Sequence, residues 1–269
     1  MAFYETVSNG VTLVKSSLIP MRHAFTTRYG GVSGGIYASL DLGENRGDDP
    51  EAVRENYRRL AGAVGFELDK LVFTKQVHGS CVRTVTSLDS RELFAAPRFE
   101  CDGLATAEED LPLICYTADC VPVLLCDPVK NTAAAVHSGW RSTVADISAR
   151  AVGALAAMGT RPEDIRAAIG PAIGRCCFEV GRDVADAMFA WLGREAEPFL
   201  VRREGAGDKF LADLRGATRH RLISLGLRPE NIDVSDECTM CSPGKYWSHR
   251  VTQGHRGSQA AVIIPDRRS

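Results

Sequence analysis

The chain has 269 residues, which at about 150 residues per domain corresponds to one large domain or two small ones. Apolar residues make up 45% and charged residues 25% of it, a globular composition that excludes a disordered, collagenous or disulfide-stapled chain. Its 32 basic and 34 acidic side chains give a net charge of −2, so no overall basic field attracts nucleic acid or an anionic membrane, and any anionic ligand must meet a local cluster.

The sequence predicts neither a membrane span nor a secretory signal. The longest uncharged stretch, 29–40, is glycine-rich and shorter than the roughly 18 apolar residues of a membrane span. Residues 1–14 contain no basic residue and no continuous apolar core, so we expect a cytoplasmic protein. In a reducing compartment its nine cysteines are expected to be core residues, metal ligands or nucleophiles, and disulfide bonds are the least expected use of them.

Four helices are predicted from apolar periodicity and end signals. They cover 50–64, about 142–158, 182–192 and 211–225. Asp49 and Pro50 are an acidic N-cap and a proline at the first helical position, and Gly65 ends this helix. The other three are also followed by glycine, a usual helix stop.

Short apolar runs bounded by turn residues predict five strands. They are 71–77, 111–116, 121–126, 132–136 and 260–264. Because four of them follow one another without a helix between, the order favours a mixed α+β fold over a doubly wound parallel sheet. The similar segments 159–165 and 226–232 indicate either one helix–turn–strand unit used twice or two ordinary helix stops.

Three soft metal ligands lie at the ends of predicted strands. His78 follows 71–77, Cys120 precedes 121–126, and His137 follows 132–136. Strand ends present side chains rigidly, and three ligands with one open position are the pattern of a catalytic zinc site. From spacing alone, simple burial of these residues remains the more frequent explanation.

Several strings, in this order, resemble the laccase-domain family, also called the YfiH-type polyphenol oxidase or peptidoglycan-editing-factor family. They are FTTRYGGVS at 25–33, QVHG at 76–79, TADCVP at 117–122, AVHSGWR at 135–141, IGPAI at 169–173, YWSHR at 246–250 and RGSQAAV at 256–262. The resemblance runs from about His23 to Ile264. Departures are small: Ala24 stands where glycine is common, and Ser138 and Ser142 stand where alanine and glycine are common.

The resemblance implies a zinc ion held by His78, Cys120 and His137. It also implies one layered α/β/β/α sandwich with mixed sheets. Family members act as purine nucleoside phosphorylases on adenosine, inosine and methylthioadenosine, with adenosine deaminase activity beside it. We therefore expect a single catalytic domain over 1–269 with these properties.

Phosphorolysis requires a bound phosphate, a stabilised oxocarbenium-like ribose and a leaving purine, with little need for a covalent nucleophile. Planar guanidinium groups suit bidentate phosphate oxygens. The cationic candidates inside the matched strings are Arg28, Arg141, His249 and Arg250. A surface or structural ion pair is the alternative for each of them.

Two further polar residues in these strings are candidates for the reaction. Gln76 is a candidate for hydrogen bonds to a base or sugar, and Asp119 for orienting a ligand or moving a proton. A structural hydrogen-bonding role is the alternative for Asp119. Deamination would need a zinc-activated water, but no histidine has a glutamate two residues later, so the usual base-deaminase signature is missing.

Two other reactions use the same residue types. The oxidase name implies copper, but six histidines without a His-x-His pair are too few for a multicopper arrangement; copper at the His–Cys–His site is the alternative metal. A cysteine hydrolase or an editing enzyme acting on peptidoglycan precursors would use Cys120 as nucleophile and His137 as base. Metal occupancy separates the zinc and cysteine mechanisms.

The remaining cysteines give weaker signals. Cys238 and Cys241, followed by His249 and His255, resemble a zinc finger only superficially because the interval is too short. The adjacent cysteines at 176–177 are expected in a loop and in core packing. The expected partners are a small-molecule nucleoside and phosphate, without nucleic acid or membrane, and the expected state is a monomer.

Overall fold

The computed structural model describes residues 3–203, 205 and 207–266. The described strands are β1 (Phe3–Ser8), β2 (Val11–Ser16), β3 (Arg22–Thr26), β4 (Val82–Thr84), β5 (Gly103–Thr106), β6 (Leu113–Thr117), β7 (Val121–Asp127), β8 (Thr132–Ser138), β9 (Arg166–Ile169), β10 (Glu179–Val180), β11 (Leu200–Arg202), β12 (Phe210–Ala212), β13 (Ile232–Val234) and β14 (Gln259–Ile264). The described α-helices are α1 (Pro50–Val64), α2 (Trp140–Val144), α3 (Ile147–Ala157), α4 (Arg182–Leu192), α5 (Leu214–Ser224) and α6 (His249–Thr252).

Two large sheets form the centre of the fold. The five-stranded sheet has the order β1-β2-β3-β14-β6 and is antiparallel throughout. The six-stranded sheet has the order β13-β9-β7-β8-β5-β4 and is mixed, because β13 runs parallel to β9 and β4 parallel to β5. A small third sheet, β10-β12-β11, lies outside both. The mixed α+β prediction is confirmed.

Alternating side chains in the central strands explain how the layers stack. In β8, Ala134 and Val136 pack with apolar residues of α3, α4 and α5. Ala133 and Ala135, which point the other way because side chains alternate along a strand, pack with Phe25 of β3 and other residues of the five-stranded sheet. The other face of that sheet packs against α1. The layers are therefore helix, sheet, sheet and helices, the α/β/β/α order that the resemblance implied.

Two of the helix predictions are accurate and two need correction. The first helix runs as predicted, with the Asp49 side chain accepting a hydrogen bond from Glu51 N and Gly65 left-handed at its end, and α4 covers 182–192. The helix predicted over 142–158 is two helices, because Asp146 adopts a left-handed conformation between α2 and α3. The helix predicted from 211 starts at Leu214, since residues 210–212 belong to β12.

Four of the five predicted strands form within about two residues of their expected bounds. The segment 71–77 does not: it makes only isolated bridges at Val72 and Lys75, so His78 follows a loop and not a strand. His137 lies inside β8 and not after it. The two similar segments each place a 3-10 turn between a helix and a strand, and those strands, β9 and β13, pair with each other.

Within the described residues, no helix combines the length and the apolar character that a membrane crossing requires.

Candidate metal centre

His78, Cys120 and His137 come together at one end of the strands of the six-stranded sheet. Each offers one ligand atom, and these three atoms lie within 4.8 Å of one another. Cys120 Sγ is 3.8 Å from His78 Nε2. The two imidazole rings lie edge to face, with centroids 4.8 Å apart. The sequence prediction that these three residues meet agrees with this geometry.

The sheet explains why the three ligands converge. His137 is near the end of β8, opposite Pro122 near the start of the antiparallel β7, and Cys120 directly precedes β7. His78 lies in the loop before β4, on the far side of β5. The ligands therefore come from one loop, one turn and one strand at the same end of the sheet.

Asp102, which the sequence prediction missed, holds two of the ligands in place. Its Oδ1 accepts hydrogen bonds from His137 Nδ1 at 2.8 Å and from His78 N at 2.9 Å. Its Oδ2 accepts from the amides of Val77 and Gly79 at 3.1 and 2.8 Å. A carboxylate that fixes a ligating imidazole is usual in metal sites, and its sequence signal was only an acid directly before β5.

Asp102 is ionised despite its burial. Burial favours the neutral acid, but the hydrogen bonds from His137 and Gly79 outweigh it and hold the pKa of Asp102 below its usual range. Because the bond to Asp102 uses His137 Nδ1, Nε2 of this ring is the atom left to face Cys120. This arrangement selects the tautomer that a metal ion needs.

Gly139 permits the close approach of the ligands. A Cβ atom at this position would lie 2.7 Å from His78 Cδ2 and 3.3 Å from Cys120 Sγ. The first distance is shorter than a real contact, so any side chain here would displace the His78 ring. The glycine in the AVHSGWR string thus has a steric reason.

Cys120 and His137 shift each other's pKa towards the thiolate and the imidazolium. Burial favours the neutral thiol, yet the neighbouring His137 and His78 outweigh it and lower the pKa of Cys120 to about 6. Burial likewise opposes protonation of His137, and the Cys120 thiolate and Asp102 outweigh it and raise its pKa to about 9. The site is therefore built to hold a thiolate at neutral pH.

The donor set fits a zinc ion. A thiolate and two imidazole nitrogens within 4.8 Å are ligands that zinc prefers, and three protein ligands leave one position for substrate. The second imidazole nitrogen of His137 has the carboxylate partner that such ligands usually have. The residues present therefore suit the metal that the family resemblance implies.

Asp119 connects the metal centre to the last helix of the chain. Its Oδ1 accepts from Thr239 Oγ1 at 2.6 Å, and its Oδ2 accepts from Ser248 Oγ at 3.0 Å and from Arg250 N at 2.7 Å. Ser248 is also the N-cap of α6. These contacts correspond to the structural alternative stated for Asp119, and its role in moving a proton stays a prediction.

Gln76 is fully engaged with the backbone of β6. Its Oε1 accepts from Tyr116 N at 2.7 Å and its Nε2 donates to Tyr116 O at 2.8 Å. The side chain thus continues the sheet edge in the way that a neighbouring strand would. A contact from Gln76 to a base or sugar stays a prediction.

Two of the predicted cationic residues donate to backbone carbonyls. Arg28 donates to Ala38 O and Pro243 O, and its guanidinium lies 3.9 Å from the ring of Trp247. Arg250 is exposed and donates to Glu179 O at 3.1 and 3.2 Å. Both guanidinium groups thereby join separate segments of the chain.

The other two cationic candidates lie at the surface. Arg141 is exposed and stacks on the ring of Trp140 at 4.3 Å. His249 is exposed at the start of α6, and partial desolvation of its ring together with the charge of Arg256 lowers its pKa. Phosphate contacts from all four candidates stay predictions.

A buried arginine near the metal ligands was missed by the sequence prediction. Arg256 is 9% exposed, and no described residue accepts a hydrogen bond from its Nε. Its described hydrogen bonds go from Nη1 to Gly257 O and Ser258 Oγ. Burial, then the charge of nearby Arg46, lowers its pKa to about 10, although Cys120 and Asp119 lie near enough to raise it. Because a buried guanidinium with an unsatisfied Nε is costly, this position is suited to a bound anion.

The sequence is similar to one protein family and to relatives named purine nucleoside phosphorylase. The chain matches the family described as multi-copper polyphenol oxidoreductase laccase over residues 22–266. It is 41% identical over 262 residues to a protein of Deinococcus radiodurans named purine nucleoside phosphorylase, covering 96% of this chain and 95% of that one. It is 37% identical to purine nucleoside phosphorylase YlmD of Geobacillus stearothermophilus, over 88% of each chain.

Solved structures share the fold over nearly the whole chain. The crystal structure of YlmD from Geobacillus stearothermophilus matches with a TM-score of 0.91 and 33% identity, over 98% of this chain and 99% of that one. The crystal structure of the Bacillus licheniformis hypothetical protein YfiH matches with a TM-score of 0.90 and 29% identity, over 97% and 98% of the two chains. The chain therefore belongs to the multi-copper polyphenol oxidoreductase laccase family.

Proposed function

We propose that the protein is a zinc-dependent purine nucleoside phosphorylase that acts on adenosine, inosine and methylthioadenosine and has adenosine deaminase as a side activity. The observation that carries the proposal is the His78–Cys120–His137 cluster beside a buried arginine, Arg256, that has an unsatisfied Nε. The names of the relatives support the class of reaction.

Arg256 gives the phosphate a place to bind. An inorganic phosphate carries one to two negative charges near neutral pH, and a guanidinium binds its oxygens through paired hydrogen bonds. Arg46 interacts electrostatically with Arg256 and His249, so three basic groups converge here. A phosphate among them would relieve their mutual repulsion, which otherwise opposes folding.

The space beside these residues suits a polar ligand. A cavity of about 230 Å³ is lined in part by Arg46, Gln76, Tyr116 and Ser258. Arg46 is itself one of the basic groups, and short chain segments connect this lining to the site, because Gln76 is two residues before the ligand His78 and Ser258 is two residues after Arg256. We place the ribose and phosphate at this junction.

Zinc, when bound to the three ligands, supplies a Lewis acid with an open coordination position. The protein itself holds the site: Asp102 orients His137 and the His78 loop through four hydrogen bonds. Arg256 positions phosphate and stabilises its charge as the glycosidic bond breaks. No covalent nucleophile of the protein is required.

The test is incubation of the purified protein with inosine, with and without phosphate, followed by chromatography of the products. We expect hypoxanthine and ribose 1-phosphate in equal amounts, and only when phosphate is present. Release of hypoxanthine without phosphate would show hydrolysis, and its absence under both conditions would contradict the phosphorylase proposal. Ammonia release from adenosine tests the deaminase activity separately.

Arg256→Gln tests the proposed phosphate contact. We expect the KM for phosphate to rise about tenfold or more, as for loss of one charge-assisted bond, with a smaller change in the KM for inosine. Arg161→Gln is the matched control, because Arg161 is a largely exposed arginine paired with Asp164 on another part of the surface. Equal phosphate dependence in both variants would remove Arg256 from this role.

A cysteine-dependent hydrolase or peptidoglycan-precursor editing enzyme is the second candidate. The Cys120–His137 ion pair favours it, since a thiolate beside an imidazolium is the usual activated nucleophile. Removal of zinc with a chelator separates the two proposals. A phosphorylase loses activity and regains it with zinc, whereas a cysteine hydrolase gains access to its thiolate. A copper-dependent polyphenol oxidase would instead regain activity only with copper.

The cellular setting is part of the proposal. We propose a cytoplasmic monomer with one catalytic domain whose partners are nucleoside and phosphate. Light scattering at several protein concentrations tests the oligomeric state, and a dimer would contradict it.

A further inference from the structure

Four cysteines outside the metal centre form a second cluster. Cys176, Cys177, Cys238 and Cys241 place their Sγ atoms within 4.8 Å of one another. Cys241 Sγ lies 3.6 Å from Cys176 Sγ and 3.4 Å from Cys177 Sγ. The cluster lies near the surface, with Cys238 buried and the other three wholly or partly exposed. The sequence analysis expected Cys176 and Cys177 in a loop and in core packing and rejected a finger-like site at Cys238 and Cys241; it did not predict that the two pairs meet.

Parallel strand pairing brings the two cysteine pairs together. β9 and β13 lie side by side in register, and the chain continues beyond both strands in the same direction. Beyond them Ala172 bridges to Cys238, and Thr239 N donates to Ala172 O at 3.1 Å. Two loops that are far apart in sequence therefore meet at the same end of the six-stranded sheet as the metal centre, since β9 is antiparallel to β7.

The surroundings of Cys238 Sγ suit a thiolate. Gly174 N donates to Cys238 Sγ at 3.2 Å, a contact that stabilises a charged sulfur. A Cβ atom on Gly174 would lie 3.2 Å from Cys176 Sγ and 2.9 Å from Arg215 Nη2, so the backbone and a guanidinium both approach closely. Arg215 is held there by Ser235 O and Glu237 O. A positive charge beside the cluster partly offsets the negative charge of bound thiolates.

The sulfur spacing fits a metal better than disulfides. A tetrahedral zinc site with Zn–S bonds of about 2.3 Å has neighbouring sulfurs about 3.8 Å apart, close to the two distances from Cys241. A disulfide needs about 2.05 Å and joins each sulfur to one partner, whereas Cys241 lies at similar distances from two. Four thiolates in tetrahedral arrangement select zinc or iron, and a closed set of four is the structural type of zinc site.

We propose that Cys176, Cys177, Cys238 and Cys241 bind a structural zinc ion, separate from the ion at His78, Cys120 and His137. The site ties the loop after β9 to the segment that follows β13. That segment includes Thr239, whose hydroxyl donates to Asp119 beside Cys120. The second ion thereby stabilises the loops around the metal centre without contacting substrate.

Metal analysis of the full-length protein, purified under reducing and anaerobic conditions, tests the proposal. We expect two zinc ions per chain in the wild type and one in the double variant C176S/C241S. His137→Ala should lose the other ion and also retain one. Cys81→Ser is the matched control, because Cys81 is an exposed cysteine outside both clusters, and it should retain two. The double variant should also melt several degrees below the control.

Cobalt substitution gives a readout that does not depend on the folding of the double variant. Cobalt bound to the His137→Ala protein should show the intense visible bands and thiolate charge-transfer bands of a tetrahedral site with four sulfurs. A disulfide among the four cysteines in the anaerobic protein would overturn the proposal. So would equal zinc content in the wild type and in C176S/C241S, or iron without zinc in the second site.

Discussion

At the scale of single residues, Asp102 is the side chain on which the metal centre depends most after the ligands. It accepts four hydrogen bonds, from His137, His78, Val77 and Gly79. An asparagine of the same shape has only one acceptor oxygen, so its amide would face either the imidazole or the loop amides. The ligands would then lose their fixed orientation.

We therefore expect Asp102→Asn to weaken zinc binding about 10- to 100-fold, the usual effect of removing a carboxylate that orients a ligand. Competition with a chromogenic chelator measures the affinity. Asp186→Asn is the control, since Asp186 is an exposed carboxylate paired with Arg182 on α4. Equal zinc affinity in the two variants would show that Asp102 does not orient the site.

The close packing of Gly139 against His78 predicts the effect of adding a side chain at this position. Gly139→Ala places a methyl group 2.7 Å from the His78 ring, and a local shift of this kind costs about 1–3 kcal/mol. We expect loss of zinc at ordinary concentrations and at least a tenfold loss of turnover, with the fold retained. Gly153→Ala is the matched control, because an added Cβ on α3 meets nothing within 4 Å, and it should bind zinc normally. Metal content and circular dichroism of both variants decide the matter.

At the scale of elements, the break between α2 and α3 contains one ion pair, between Asp146 and Arg221. Asp146 is left-handed, a conformation that costs most residues about 1–2 kcal/mol and that Asp and Asn tolerate. Its carboxylate accepts hydrogen bonds from Nε and Nη2 of Arg221 on α5, at 3.0 and 2.5 Å. The break lets α2 begin three residues after the ligand His137 while α3 packs along the sheet.

Asp146→Ala should lower the free energy of unfolding by about 2 kcal/mol, because it removes both a partly buried ion pair and a residue suited to the left-handed conformation. Asp146→Asn should cost about half as much, since only the ion pair is lost. Urea denaturation of the two variants measures the difference. Equal costs would mean that the backbone conformation contributes nothing.

The elements that the sequence predicted well have signals within a few residues. The start and end of α1 follow from Asp49, Pro50 and Gly65, which act locally. At the break between α2 and α3, Asp146 pairs with Arg221, 75 residues away, and no local pattern indicates this contact. The segment 71–77 was predicted as a strand but pairs only at isolated positions. At its end the amides of Val77, His78 and Gly79 bond to the Asp102 side chain and not to another strand.

The candidate site was predictable only in part for the same reason. The three ligands were proposed from strand ends and from family resemblance, and the structure brings them together. Asp102 and Arg256 were missed because their roles depend on neighbours that only folding supplies. The four-cysteine cluster requires the parallel pairing of β9 and β13, which apolar patterns in the two segments cannot specify.

At the scale of the whole molecule, both clusters lie at one end of the six-stranded sheet. The turn before β7, the end of β8 and the ends of β9 and β13 all reach this end. The interfaces between the two sheets, and between the sheets and the helices, are apolar and buried. The rigid double-sheet core thus supports loops that carry the chemistry, a usual division between scaffold and site.

Stability of the whole molecule should depend on the protonation of one buried histidine between the sheet strands. His23 Nε2 accepts from Ser16 N at 3.0 Å and Nδ1 donates to Met21 O at 2.8 Å, so the neutral ring is fully satisfied. Burial lowers the pKa of His23 to about 4. The unfolded chain, with a histidine pKa of about 6.5, therefore binds a proton first as the pH falls.

The sign follows from this order of protonation. Above about pH 6.5 the histidine is neutral in both states and carries no penalty, and stability falls as the pH drops from about 6.5 towards 4. The loss contributed by His23 between about pH 8 and 5 is about 2 kcal/mol. Asp41 has the opposite effect on stability as the pH falls, because burial raises its pKa to about 6. The contribution of His23 is therefore measured as the difference in stability between the wild type and a variant that lacks this histidine.

We expect His23→Gln to be less stable than the wild type at about pH 8, with the difference shrinking by about 2 kcal/mol at about pH 5. Urea denaturation at the two pH values measures it. His220→Gln is the matched control, because His220 is a partly exposed histidine paired with Glu195, and its difference from the wild type should not shrink in this way. If the His23→Gln difference stays constant between the two pH values, His23 takes up its proton equally in the folded and unfolded chains, and burial does not lower its pKa.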